Sequence, residues 1–392
     1  MSTGEIVRNY VTELTLAEKA VAAAVAAIVV GLVVAMLAGV LDPTYFLFLF
    51  GLGGMFALLS LGLNAQWGFT GLINFSVAAF FGLGAYGAAI VTASNSPIAG
   101  GYSPILGLGL GLLLAAVVAV AIGLPTLRLR ADYLAIATLG LAEVVRLIVL
   151  NERQLTAGSQ GLRGIPGFFD GWPVLGAFPE AMPGLRIVMI PGRPVVIGTA
   201  FWRQLLNVSL LLAFLGVAFF VLRRAHRSPW GRVLRTIRSD EDLAKTLGKN
   251  TYRFKLQSFV LGSLVMALAG VFFAHLNLFV NPNNLDPITT FYVWVAVMLG
   301  GAGSNRGALF GGFIVVAIRE GPRFIDEVPL LAIETGPLRL LLVGLLIVLI
   351  MRFRPQGVLP PQRELIWPDA LADDAPTRPE TGVRAARGDG DE

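Results

Sequence analysis

The residues able to do chemistry are few, and that limits the reading at once. The chain of 392 residues has no Cys and only two His, His226 and His275, which lie far apart. Disulfides, iron–sulfur clusters and thiolate metal sites are excluded, and a histidine-based metal centre is not expected. Gly248-Lys249-Asn250 looks like the end of a phosphate-binding loop. It lacks the upstream Gly and the Ser/Thr that ligates magnesium. No Ser/His/Asp set and no glycosidase-like pair of carboxylates stands out. Neither an enzyme nor a bound cofactor is expected.

The exception is Glu143 with Arg146, three residues apart inside the apolar stretch 133–150. On a helix they share a face, one turn apart. At 1.5 Å per residue Glu143 lies about 15 Å in from Asp132. In a membrane that is near the midplane, where a lone charge costs about 2.5–3.5 kcal/mol on insertion scales. Two readings stand: an ion pair that fixes helix rotation, or a polar point on a substrate pathway. Asn64, Gln66 and Asn74 bracket Trp67-Gly68-Phe69-Thr70-Gly71. They form either a plain turn or the polar groups of a broken helix beside such a pathway. Asn64, Asn74, Glu143 and Arg146 are therefore the candidate pathway residues. His275 reads as an interhelical hydrogen-bond donor rather than a ligand.

The elements that must position these groups are membrane helices. The sequence is 55% hydrophobic and 14% charged, with a mean hydropathy of +0.73. A soluble domain carries about 25% charged residues, so this chain cannot clothe a water-exposed surface of its size. Runs of about 20 apolar residues cross a bilayer. They fall near 18–40, 44–63, 72–93, 104–124, 133–150, 204–223, 256–280 and 336–352. A Gly-rich stretch at 288–319 adds two short helices turning near Gly303–Gly307. The expected fold is all-α, with about ten membrane segments. Gly303, Gly307 and Gly311, four apart, predict a close-packed helix face.

Charge sets the orientation. Ten of the 30 Lys and Arg residues lie in 223–255, between two apolar runs. Such a cluster marks the cytoplasmic side. Its pattern is too long for a simple turn and predicts an amphipathic helix offered to a soluble partner. Arg128 and Arg130, and Arg352 and Arg354, follow other spans and agree. The net charge of +5 is accounted for by this side, and nucleic acid is not implied. The loop 151–203 is expected to be a folded external cap. Residues 1–17 read as a cytoplasmic N-terminal segment, and 18–354 as the membrane domain with a cytoplasmic loop at 224–255. The Pro-rich, mixed-charge stretch 355–392 reads as a disordered cytoplasmic tail, so both termini are expected inside.

Several stretches carry a family resemblance. They are Leu61-Gly62-Leu63-Asn64 with Gly68-Phe69-Thr70-Gly71, Phe80-Phe81-Gly82-Leu83-Gly84-Ala85-Tyr86, Pro125-Thr126-Leu127-Arg128-Leu129-Arg130 with Ala142-Glu143, and Gly158-Ser159-Gln160-Gly161-Leu162. Ser228-Pro229-Trp230-Gly231-Arg232, Leu299-Gly300-Gly301-Ala302-Gly303-Ser304 and Arg354-Pro355-Gln356-Gly357 complete the set. Together they resemble the permease subunit of branched-chain amino acid ABC importers, the LivM-like family, from about residue 45 to 360.

The resemblance implies a type II-like importer permease in the plasma or inner membrane. It implies a sister permease, two ATP-binding cassette ATPase subunits and an extracytoplasmic substrate-binding protein as partners. It also implies that the basic loop is the ATPase handle. The coupling motif of importers, E-A-A-x-x-x-G, is met loosely by Asp242-Leu243-Ala244-Lys245-Thr246-Leu247-Gly248. Asp and Leu replace Glu and Ala, and a downstream Leu-Pro is missing.

A short helix within 228–248 is expected to dock in an ATPase cleft. Asp240, Glu241 and Asp242 would favour its first turn. Leu243, Ala244 and Leu247 would form one apolar docking stripe, Gly248 would stop it, and Arg232 would contribute charge. Branched-chain or other aliphatic amino acids are the expected cargo. A related permease for urea or short amides is the nearest rival. An ion-coupled secondary transporter would place several carboxylates at the midplane, where Glu143 stands nearly alone.

Overall fold

The computed structural model of the chain describes residues 42–98, 100–190 and 193–320, with positions 341, 344, 345, 348, 352 and 356–360. The N-terminal segment 1–17, the expected span 18–40 and the tail beyond 360 lie outside the described residues. So does most of the expected span 336–352.

Ten helices longer than one turn organise the described chain. They are α1 (Pro43–Leu63), α2 (Val77–Thr92), α3 (Pro104–Thr126), α4 (Ala131–Asn151) and α5 (Thr199–Arg227). Then come α6 (Pro229–Ser239), α7 (Glu241–Thr246), α8 (Thr251–Asn277), α9 (Ile288–Gly300) and α10 (Asn305–Glu320). Their starts are written in the sequence. The Asp42 side chain accepts from the Thr44 amide at 2.6 Å and the Tyr45 amide at 3.3 Å, with Pro43 at the first helical position. Both devices satisfy or remove amides that have no helical partner. Pro104 and Pro229 open α3 and α6 in the same way.

Among the described residues, five helices are long and apolar enough to cross a membrane: α1 with its extension to Gly68, α3, α4, α5 and α8. α2 and α9 are shorter apolar helices. Packing among these is not driven by hydrophobicity, because lipid tails are as apolar as Leu. Small residues decide it. In α8, 78% of the most apolar window is buried, against 22% in α3, although both are strongly apolar. α8 crosses α2 where Gly270 meets the Phe81 carbonyl and Gly84 meets the Ala267 carbonyl. It crosses α1 where Gly62 and Gly262 face each other's backbone. α1 and α8 thus form the centre, with α3, α4 and α5 keeping broad outward apolar faces.

Three departures from the sequence reading have physical causes. The span expected from 72 begins at Val77 instead. Asn74 Oδ1 accepts from the Ser76 amide at 2.7 Å and from its hydroxyl at 2.5 Å, and such local bonds compete with the helix. The fold is also not purely helical. Within 151–203, β1 (Leu162–Arg163) pairs antiparallel with β4 (Phe279–Val280), and β2 (Leu185–Ile190) pairs with β3 (Arg193–Ile197) as a hairpin. Finally, Gly303 does not belong to the packed glycine face. It lies in the turn between α9 and α10 with φ +94°, beside Gly301 at +113°. The packed face is made by Gly307 and Gly311, whose Cβ positions would strike the carbonyls of Gly300 and Ala296.

The two ends of the bundle are distinct. α8 starts next to α7 and ends at β4. Its 27 residues span about 40 Å at 1.5 Å each. β1 and the 151–203 segment therefore sit at the end away from α6 and α7. His275, fully buried, ties them down: its Nδ1 donates to the Pro166 carbonyl at 2.8 Å. The donor role expected of His275 is seen, directed to a loop carbonyl and not to another helix.

Candidate functional site

The basic stretch folds as a helix pair. Ser228 caps α6, and the Asp240 carboxylate caps α7, accepting from the Asp242 and Leu243 amides at 2.9 Å each. At the far end of α7 the Gly248 amide donates to the Lys245 carbonyl at 2.9 Å. The Lys249 amide donates to the Ala244 carbonyl at 3.1 Å. These two bonds form a Schellman cap, and it needs the left-handed φ of +73° that Gly248 supplies. The short helix expected within 228–248, with Asp240–Asp242 at its first turn and Gly248 as its stop, is α7, and a second helix, α6, precedes it and ends at Asp240.

The expected apolar stripe is split. Ala244 is fully buried against its own chain, while Leu243 is 50% and Leu247 63% exposed. On so short a helix, one face must rest on α6 and α8, and Ala244 is the residue that does so. Only Leu243 and Leu247 remain outward, flanked by exposed Arg232, Asp242 and Lys245. Glu241 anchors the pair from beneath. Its carboxylate takes the Lys255 ammonium and the Thr251 hydroxyl, the latter at 3.0 Å. Burial alone would raise the Glu241 carboxyl. Lys255, Thr251 and the Lys245 charge outweigh it and hold the group below its ordinary value.

The pair is wired into a break in α1. After Leu63 the chain widens into a π-helical turn, Asn64–Gly68, and unwinds at 71–76. π turns mark places where a helix is locally re-aimed. Arg238 of α6 donates to the Gly68 carbonyl, and the Phe69 ring stacks on His226 at 4.4 Å.

Around the break the side chains of Asn64, Gln66, Thr70, Asn74 and Ser258 are buried and hydrogen-bonded. Asn64 Nδ2 donates to Asn305 Oδ1 at 3.0 Å, and its Oδ1 accepts from the Gly303 amide at 2.7 Å. Gln66 Nε2 donates to the Phe259 carbonyl at 2.8 Å and to Ser263 Oγ at 3.2 Å. Asn74 Nδ2 donates to Gln66 Oε1 at 2.6 Å, and the Asn74 carbonyl accepts from Trp294 Nε1 at 3.0 Å. Ser258 Oγ donates to the Ala65 carbonyl at 2.8 Å.

Asn64 and Asn74 therefore do not line an opening within this chain. They join α1, α8, α9 and α10. A buried polar group in lipid must find a partner inside the protein, and here each one does.

Glu143 and Arg146 lie elsewhere, on α4. They pair bidentately: Arg146 Nε to Glu143 Oε2 at 2.9 Å and Nη2 to Oε1 at 2.5 Å. The packed stripe of α4 is Leu134, Thr138, Ala142, Val145 and Val149. The ion pair sits beside that stripe with side chains 39% and 27% exposed. It is at the surface of the subunit, not in its core. The four candidate pathway residues thus fall in two separate places.

Sequence reasoning missed Arg238 as the link to Gly68, and Ser258 and Ser263 as partners of the break. Serines in an apolar helix carry no spacing signal. Among the described residues no cluster of His, Asp and Glu suited to a metal ion occurs.

Known proteins show the same pattern. Residues 45–351 match the family model described as the permease component of branched-chain amino acid transport systems. The high-affinity branched-chain amino acid transport system permease protein LivM of Escherichia coli is 32% identical over 324 residues, covering 79% of this chain and 68% of that protein. The probable branched-chain amino acid transport permease protein LivM of Methanocaldococcus jannaschii is 26% identical over 356 residues, covering 80% and 93%. The permease protein LivH of the same kind of system in Salmonella typhimurium is 25% identical over 272 residues, covering 67% and 80%. No solved structure gives a significant match.

Proposed function

The chain belongs to the branched-chain amino acid transport permease family, and from that premise we propose that it is the LivM-like permease subunit of an ATP-driven importer of branched-chain or other aliphatic amino acids. A LivH-like sister permease completes the membrane part. Of two ATP-binding cassette ATPases, one docks on α6–α7 from the cytoplasm and the other on the sister permease, and an extracytoplasmic binding protein delivers cargo at the opposite end. In this reading the membrane is the cell's inner or plasma membrane and both termini face the cytoplasm. About ten segments of type II-like arrangement cross or enter it.

The observation that carries the reading is the α6–α7 pair. Its caps make it rigid, two leucines face outward, and Arg238 ties it to the broken end of α1. An ATPase that moved this handle would move the joint of four helices with it, as a rigid group.

The test is the double substitution Leu243→Asp and Leu247→Asp. Both side chains are outward, so the chain still folds and inserts. Co-purification of the ATPase subunits and leucine uptake should both be lost. Wild-type uptake at normal expression would remove the handle from the mechanism. Ala244 is left unchanged, because a carboxylate there would break α7 from within.

A further inference from the structure

A cavity of about 330 Å³ opens at the end of the bundle away from α6–α7. Ligand sites start at roughly this size, which suits one small molecule and not a peptide. Its two sides differ in chemistry. Leu52 and Met55 of α1, Phe81 of α2 and Phe273 of α8 supply an apolar wall. Opposite them stand Asn283 and Asp286 of the turn after β4, and Arg319 and Glu320 at the end of α10.

The polar side is held in place. The Arg319 guanidinium lies 5.6 Å over both the Phe56 and Tyr292 rings, which fixes the plane of its donors. Its Nε is 3.3 Å from Glu320 Oε1, and the Glu320 side chain is almost fully buried. Asn281 and Asn284 cap each other across the turn, and Asp286 Oδ1 accepts from the Ile288 amide at 2.9 Å. Preorganised groups bind with less ordering cost.

We propose that this cavity binds one free aliphatic amino acid as its zwitterion. Arg319 takes the carboxylate, a geometry its fork suits. Asp286 and Glu320 take the ammonium group, and the side chain rests on the Leu52–Phe273 wall. One cation and two carboxylates converge beside an apolar wall, which matches a molecule carrying both charges and an alkyl group. A purely anionic ligand would meet the two carboxylates as well as Arg319, and a purely aliphatic one would leave the polar groups unused. This rests on the amino-acid importer reading and adds a site on the permease itself.

The test uses the full chain in nanodiscs and radiolabelled L-leucine. Saturable binding is expected. Leucinamide, which lacks the carboxylate, and 4-methylpentanoate, which lacks the ammonium, should each compete at least tenfold more weakly. Arg319→Gln should weaken leucine binding at least tenfold. Leu52→Trp, which fills the wall from α1, should do the same and carries the test if the Arg319 variant does not fold.

Leucine uptake by cells with and without the gene is measured alongside. Gene-dependent uptake without saturable leucine binding to the chain, or with binding indifferent to either folded variant, overturns the site and leaves the importer. Uptake independent of the gene overturns the importer reading itself.

Discussion

Glu143 and Arg146 show what a single pair of residues can decide. Their spacing was legible, and so was their pairing, because three residues on a helix place two side chains together. What the sequence could not tell was which way the pair faces. It sits at the subunit surface beside the packed stripe of α4, and a charge exposed to lipid there would be costly. Removing one partner should leave the other uncompensated. Arg146→Gln and Glu143→Gln should each lower the folded yield of the assembled complex. The double variant should lose less than the sum of the two. Strictly additive losses in a size-exclusion assay would mean the pair is energetically silent.

Element by element, the helices were readable and their joints were not. Apolar length and the Asp42, Ser228 and Asp240 caps announce where helices run. The π turn that precedes the unwinding depends on tertiary partners, since Gln66, Ser258 and Ser263 come together from distant segments. No periodicity encodes that.

Two predictions belong to this scale. Arg238→Gln removes the donor to Gly68, and a bond from a charged donor is worth about 1.5–3 kcal/mol, so uptake should fall roughly tenfold or more while the ATPases still co-purify. Loss of ATPase binding in that variant would place Arg238 in docking instead of transmission.

Glu241 acts in the same handle through its lowered pKa. A carboxyl whose folded value is depressed contributes stability that is present above its ordinary value, about 4.3, and that fades as pH falls through the folded value. Docking of α7 on α8 should therefore be unchanged from pH 8 to 6. Glu241→Gln should lower amide protection across 243–249 throughout that range, measured by hydrogen exchange. Equal protection in variant and wild type would show that Lys255 does not depend on this partner.

The whole molecule is organised by small residues and by the separation of its two ends. In lipid the central position of α8 comes from close backbone approach, not from greater apolarity. Gly270→Val, which would press on the Phe81 carbonyl, should cost about 1–3 kcal/mol as overpacking and lower the melting temperature in detergent. Gly140→Ala, with nothing nearby in the chain, should leave it unchanged.

The order of the apolar runs among the described residues was legible, but the strand pairing of Leu162–Arg163 with Phe279–Val280 was not, because a two-residue strand has no pattern of its own. That pairing puts the 151–203 segment at the end of α8 opposite the basic helices. On the proposed reading, in which the basic helices face the cytoplasm, the segment should face outward. The chain has no Cys, which makes single-cysteine labelling clean. In intact cells an impermeant maleimide should modify Val174→Cys, whose side chain is 77% exposed. Exposed Lys249→Cys should react only after the membrane is opened. Labelling in the reverse order would invert the molecule, moving the handle outside and the 330 Å³ cavity to the cytoplasmic end.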